Sequence, residues 1–309
     1  PPARLPLMVT LVKAGLLAAY DSAETSAGGV LGHQLSWLLR KKDMRYRTPE
    51  KAEVAVLTPE QFRAFWEPIL GAGPIEVQIF GDVKPDEAIY AVAATFGALP
   101  ARAELPKPKG SRKIRFPAHN AKPLILTHNG DADQAAAVIA WPTGAGFTDI
   151  NEGHQLDILT QILSDRLFEK LRATDGVAYS PSAQSDWPLA FDKGQGYILA
   201  LSQLKPASAD YFFKLVREIA ADLATRPVSD DELQRVLVPM KQMLLRASTG
   251  NAYWMNQMEG AAFDRHYIWA MNAMPRDMLT VTPEQLRALA AKYLVDRKSY
   301  SVVVLPKAK

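Results

Sequence analysis

Two stretches of this chain repeat each other at a distance of 224 positions: residues 58–65 read TPEQFRAF and residues 282–289 read TPEQLRAL. Six of the eight positions are identical, and Phe62/Leu286 and Phe65/Leu289 each exchange one bulky apolar side chain for another. Each copy opens as a helix start. Thr58 and Thr282 can cap, Pro59 and Pro283 suit the first helical position, and Gln61 and Gln285 can complete a capping box. Capping boxes recur by chance. Matched core positions recur less easily, and a strand begins 17 positions after the threonine in both copies, at Ile75 and at Ser299. The expectation is a duplication whose unit is a whole module rather than a solenoid repeat.

The duplication divides the chain. Residues 1–98 read as the C-terminal part of one module and 113–309 as a nearly complete final one, joined by a linker at 99–112. Three prolines and Gly110 disfavour a helix or a central strand in that linker. Its basic run (Arg102, Lys107, Lys109, Arg112, Lys113, Arg115) has little aromatic interleaving. With a formal net charge of only +3, this reads as a solvated linker and not as a nucleic-acid surface. A length of 309 residues with 48% hydrophobic and 22% charged residues suits two globular units.

Periodicity gives helices over 5–20 and 24–42 with a break at Asp21-Ser22, and a helix after Thr58 with Phe62, Phe65, Trp66 and Leu70 inward. A strand follows at 75–81, and Pro85 opens a further helix. Past the linker come strands in KIRFPA (113–118), PLILTH (123–128) and QAAAVIAW (134–141), then a helix over 154–172. Two more strands lie within 178–187 and 194–204, the first at a sheet edge or bulge because Pro181 donates no ladder hydrogen bond. Helices over 209–224, to about Arg246, around Trp254 to Trp269 and from Thr282 precede a last strand at 299–306. Strands in runs followed by helices in runs predict an α+β fold, a mostly antiparallel sheet with helices on one face.

Cysteine is absent, which removes disulfides, thiolate zinc sites and cysteine nucleophiles, and leaves the compartment open. No apolar run approaches the roughly 20 residues that span a bilayer, so no transmembrane segment is expected. The chain begins without Met, a basic leader or a cleavage site, and reads as the middle of a longer protein. The five histidines, His33, His119, His128, His154 and His266, contain no i, i+4 pair, so no helical two-histidine zinc motif can be written; each reads as structural or superficial. No phosphate loop or specific Ser-His-Asp set emerges either. Tyr253, Trp254, Tyr267 and Trp269 read as packing aromatics in preference to a peptide chamber.

Residues 167–183, LFEKLRATDGVAYSPSA, place Leu171-Arg172 at a helix end, a turn at Asp175-Gly176, and Tyr179 on the strand beyond. Read alone, Arg172 is explained by an i, i+3 ion pair with Glu169 and Tyr179 by a half-buried strand position. This stretch also resembles the C-terminal half of the pitrilysin/insulinase zinc metallopeptidases, where an Arg and a Tyr seven positions apart hold substrate. The segments GDVKPD (81–86) and FGALP (96–100) look like that family's module ends. Here the residue after the arginine, acidic in many relatives, is Ala173.

The resemblance implies duplicated pitrilysin-like modules and a substrate-binding role for Arg172 and Tyr179. It implies a zinc-bearing N-terminal catalytic half as partner, carrying H-x-x-E-H and the general base, with no metal and no activity in this fragment by itself. It implies peptide as substrate and favours the periplasm over the cytoplasm. The alternative within the same resemblance is a catalytically inactive structural or assembly subunit, like the core subunits of respiratory complexes.

Overall fold

The computed structural model describes residues 5–105, 113–144, 149–174, 180–187 and 196–308, with 172–174 described by their backbone. In chain order the helices are α1 (Leu5–Glu24), α2 (Ala27–Leu39), α3 (Lys51–Ala55), α4 (Pro59–Leu70) and α5 (Pro85–Ala94). Strands β1 (Leu124–His128) and β2 (Ala135–Pro142), helix α6 (Ile150–Phe168), and strands β3 (Ser182–Asp186) and β4 (Tyr197–Leu204) follow. The chain then runs through α7 (Ala209–Thr225), α8 (Asp230–Ala247), α9 (Asn251–Met258), α10 (His266–Thr280) and α11 (Pro283–Tyr293) to β5 (Tyr300–Pro306).

These elements gather into two compact units, each assembled from separated stretches of sequence. One comprises Ala18–Pro49, Arg112–Lys241 and Asn272–Lys309, the other Pro1–Leu17, Glu50–Ser111 and Gln242–Met271. The first holds a five-stranded sheet in the order β1-β5-β2-β4-β3. β1 runs parallel to β5 and the other three pairings are antiparallel, so the sheet is mixed. The α+β expectation holds, as does the edge position after Pro181, since β3 begins at the next residue and closes one side of the sheet.

β2 explains the architecture. Its residues 135–141 are all buried, as a strand covered on both faces requires. Ala136, Val138 and Ala140 point to one face and pack with Leu199, Val302 and Val304 against Ala27, Leu31, Leu38 and Leu39 of α2. The alternate residues Ala137, Ile139 and Trp141 face the side on which α6 and α7 lie, and the apolar stripes expected on those two helices are buried there. The helices that follow the sheet strands thus line one face, while α2, from ahead of the linker, covers the other. Close approach at the α1–α2 junction dictates Gly130, where a Cβ would lie 1.8 Å from the Thr25 carbonyl oxygen.

The repeat is visible element by element. Adding 224 to α1 gives 229–248, to α2 251–263, and to α4 283–294, which coincide with α8, the region of α9, and α11. Both capping boxes form, with Thr58 N to Gln61 Oε1 and Thr282 N to Gln285 Oε1 at 2.9 Å each. The copies also exchange helices. α2 of the first copy packs on β5 of the second. The end of α9, from the second copy, receives the corresponding stretch of the first: Gln78 Nε2 donates to the Met258 carbonyl at 2.7 Å, and Glu76 accepts from the Gly260 and Ala262 amides at 2.9 Å each.

Two expected strands are absent from the described ladders. Among the described residues neither 75–80 nor 113–118 joins a ladder, although Ile114 and Phe116 are buried. Alternation fits a chain to a strand but supplies no neighbour. Phe62, Phe65, Trp66 and Leu70 are also exposed and not inward, at 49% and 62% for the two phenylalanines, whereas Leu286 and Leu289 are buried at 0% and 7%. Each such side chain forgoes roughly 1.5–3 kcal/mol that burial would contribute. In the same unit Trp254 and Trp269 remain exposed, so the packing expected of them is not made within it.

Candidate functional site

The segment carrying Arg172 and Tyr179 leaves the C-terminal end of α6. That end is fixed by Arg166, whose guanidinium forks onto Glu232, with Nε to Oε1 at 2.6 Å and Nη2 to Oε2 at 2.9 Å. Its Nη1 donates to Asp222 Oδ2 at 2.7 Å. A planar donor set with two carboxylates ties α6 to α7 and to the start of α8 at once. Beyond Phe168 the helix widens into a π turn, Glu169–Thr174. Leu167 and Leu171 are both fully buried, so the wider turn begins and continues without lifting the chain off the core. Arg172 follows Leu171 directly within this turn. Tyr179 and the glycine turn before it lie outside the described residues, so the pairing of these two side chains stays an expectation.

The far side of the segment is also held. β3 ends against the N-terminal half of α6, where Ser185 Oγ donates to Asp157 Oδ1 at 2.5 Å and Trp187 Nε1 donates to the same oxygen at 3.0 Å. Burial pushes the Asp157 carboxyl up in spite of these two donors. The Trp187 ring lies over Gly153, where a Cβ would come within 2.9 Å of it. It meets His154 edge-on at 5.6 Å between centroids. His154 in turn donates from Nδ1 to Asp277 Oδ2 at 2.7 Å, with both side chains buried. The connection bearing Arg172 and Tyr179 therefore joins two elements whose packing is locked by buried polar contacts. Such support is what a side chain pair needs to present a constant geometry to a ligand.

Sequence reasoning read His154 as structural, and its contacts agree. It had no means of finding the partner, 123 positions away. The other histidines are likewise occupied: His119 with the Ser299 carbonyl, His128 with the Gln134 carbonyl and the Gly130 amide, His266 with Asp264, and His33 edge-on to Tyr20. Among the described residues no three His, Cys, Asp or Glu side chains converge in a way that could hold a metal ion. A zinc site does not fit the described part of this chain.

A family model described as the peptidase M16 inactive domain matches residues 57–237, more than half of the chain. The chain belongs to the peptidase M16 family. That agrees with the resemblance to the pitrilysin/insulinase peptidases carried by residues 81–86, 96–100 and 167–183. No curated protein matches this M16 chain. Among solved structures, its fold is similar to that of the periplasmic protease PqqL from Escherichia coli, with a TM-score of 0.77 and 15% identity over 98% of this chain and 33% of PqqL. It is similar to the peptidase M16 inactive domain from Pseudomonas fluorescens, with a TM-score of 0.75 and 20% identity over 97% and 71% of the two chains. A chain of complex III2 from Candida albicans also shares the fold, with a TM-score of 0.70 and 13% identity over 94% and 70%. The M16 chain thus spans a third of PqqL. Among the described residues no helix is long and apolar enough to cross a membrane.

Proposed function

We propose that this chain is the substrate-binding, non-zinc-bearing C-terminal half of a zinc-dependent M16 metalloendopeptidase. The observation that carries this reading is the match to the family's inactive domain, together with an Arg172–Tyr179 spacing that the resemblance assigns to substrate binding. In this reading residues 1–98 end a preceding module and 113–309 form most of the last one. The partner is the N-terminal catalytic half, which carries the zinc and general base, and peptide is enclosed between the halves. Arg172 offers two guanidinium hydrogen bonds to a peptide carbonyl and Tyr179 one hydroxyl donor, so together they position the scissile peptide and stabilise its developing oxyanion. The periplasm is the proposed compartment, in line with the similarity to PqqL.

The test is reconstitution. The chain alone should cleave no peptide and take up no stoichiometric zinc, and addition of the N-terminal half should give peptide hydrolysis. Hydrolysis by the isolated chain, or none in a zinc-loaded complex of the two halves, would sink the proposal. The second reading is a catalytically inactive assembly subunit, favoured by the shared fold with a chain of complex III2. A partner half without H-x-x-E-H would select it.

A further inference from the structure

The C-terminal end of α2 is closed by two residues that its backbone disfavours. Leu39 is the last helical residue, after which the Lys41 amide donates to the Leu38 carbonyl at 3.2 Å and the Lys42 amide to the Trp37 carbonyl at 2.8 Å. This is the Schellman pattern, whose left-handed position just past the helix is ordinarily glycine. Here lysine stands at two successive left-handed positions, Lys41 at φ 51° and Lys42 at φ 60°. Among the described residues no other non-glycine residue has a positive φ. A Cβ in that conformation crowds the following carbonyl, so both side chains are kept against the backbone's preference. We propose that Lys41 and Lys42 are the binding cations of an interaction surface on the 40–47 turn. Its partner is an acidic polypeptide segment that carries adjacent carboxylates and an apolar side chain.

The charge is concentrated there. Residues 40–47 read RKKDMRYR, five cations and one carboxylate for a net +4, whereas the whole chain is +3, so the remainder is net negative. Most of the turn is committed to its own shape. Arg40 donates from Nη1 to Ser36 Oγ at 3.2 Å and from Nη2 to Asp186 Oδ2 at 2.7 Å, and its guanidinium lies over the Tyr46 and Tyr197 rings at 4.2 and 5.4 Å. Asp43 accepts from the Arg45 amide at 3.0 Å and from its Nη2 at 2.6 Å. Lys41 and Lys42 are exposed, and neither pairs with a carboxylate among the described residues; the Lys42 ammonium lies over the Trp37 ring at 5.3 Å. The helix dipole favours a cation near the last turn, and Arg40 already supplies one. It does not call for cations on left-handed backbone.

The geometry selects among anionic partners. The amides of Lys41, Lys42 and Asp43 are all taken by carbonyls of residues 37–40, so an anion meets ammonium groups and not a backbone nest. The rings beside the turn already carry cations, which disfavours base stacking by a nucleic acid. With Arg40 and Arg45 paired, the turn falls short of the roughly 4–8 basic residues that hold a protein to an anionic membrane. Two neighbouring ammonium groups on flexible stems suit two neighbouring carboxylates. Met44, 65% exposed between them and Arg45, offers the apolar contact. The surface is independent of the peptidase reading and would serve a catalytic half and an assembly subunit alike.

The test is titration of the chain with a short fluorescent peptide of repeated Glu-Glu-Leu. The peptide should bind, and Lys41→Glu with Lys42→Glu should weaken binding at least about tenfold. Reversing the exposed Lys214 and Lys298 instead changes the net charge equally and should leave binding within about twofold of wild type. Lys41→Gly with Lys42→Gly should weaken binding about tenfold and raise the melting temperature, because glycine relieves the left-handed backbone. No binding by the wild-type chain, an equal loss in the Lys214/Lys298 variant, or a lower melting temperature in the glycine variant would each overturn the proposal. So would tighter binding to phosphatidylglycerol vesicles or duplex DNA that the same lysine substitutions abolish.

Discussion

His154 donates its Nδ1 proton to Asp277 across 2.7 Å, and neither side chain reaches solvent. Burial acts to raise the Asp277 carboxyl, but hydrogen bonds from His154, Asn151 and Arg276 outweigh it and hold the group below the usual carboxylate range. A depressed folded pKa stabilises the fold above the unfolded value of roughly 3.9, and the contribution is lost as pH falls through the folded value. Asp277→Asn should therefore cost about 3 kcal/mol at neutral pH, because it leaves the buried imidazole without its charged partner. The gap to wild type should shrink below about pH 4. Urea denaturation at both ends of that range measures it, and an unchanged gap in acid contradicts the assignment.

Arg166 offers a test of geometry against charge. Arg166→Lys keeps the cation but loses the fork onto Glu232, and should cost about 1 kcal/mol. Arg166→Ala should cost about 2–3 kcal/mol, since it strands the partly buried carboxylate of Glu232 and leaves Asp222 with Arg226 alone. Equal losses for the two variants in a urea melt would show that the fork contributes nothing.

In the reconstituted peptidase, Arg172→Ala and Tyr179→Phe should each lower kcat/KM by roughly a hundredfold to a thousandfold with zinc content unchanged. Peptide cleavage assays with metal analysis decide it. Normal turnover in either variant removes that residue from the site.

The two capping threonines should respond differently to one substitution. Thr282→Ala removes a cap from a helix packed into a core, and should lower the stability of its unit by about 1 kcal/mol. Thr58→Ala should leave that unit's denaturation unchanged and appear instead as faster hydrogen exchange at residues 61–64. Identical effects on the cooperative melt would mean that α4 is as well packed as α11.

What the sequence made legible was local. The capping boxes at Thr58 and Thr282, the helix stripes on α6 and α7, the strand within 134–141 and the edge position after Pro181 all depend on neighbours a few residues away, and all appear in the structure. The break expected at Asp21-Ser22 moves to Ser26, whose side chain caps α2 through the Gly29 amide at 3.0 Å. Non-local facts stayed hidden. The parallel pairing of β1 with β5 joins residues 178 positions apart at Leu124 and Val302, and nothing in either strand announces its partner. Residues 75–81 and 113–118 alternate as strands do, yet pairing depends on what lies beside them. Of the candidate site, the helix end was readable while its glycine turn lies outside the described residues, and Arg166, Asp157 and Asp277 were not readable, because polar contacts between distant segments leave no periodic trace.

The exchange of α2 and α9 bears on how such a protein breaks. Cutting the chain anywhere within 99–112 would leave two pieces, each still holding a helix that packs on residues of the other. Covalent scission there should not release them, and a shortened gene encoding only one copy would yield a product with a bare apolar face. If the two copies arose by duplication, as the repeat at 58–65 and 282–289 suggests, each has since come to lend a helix to the other.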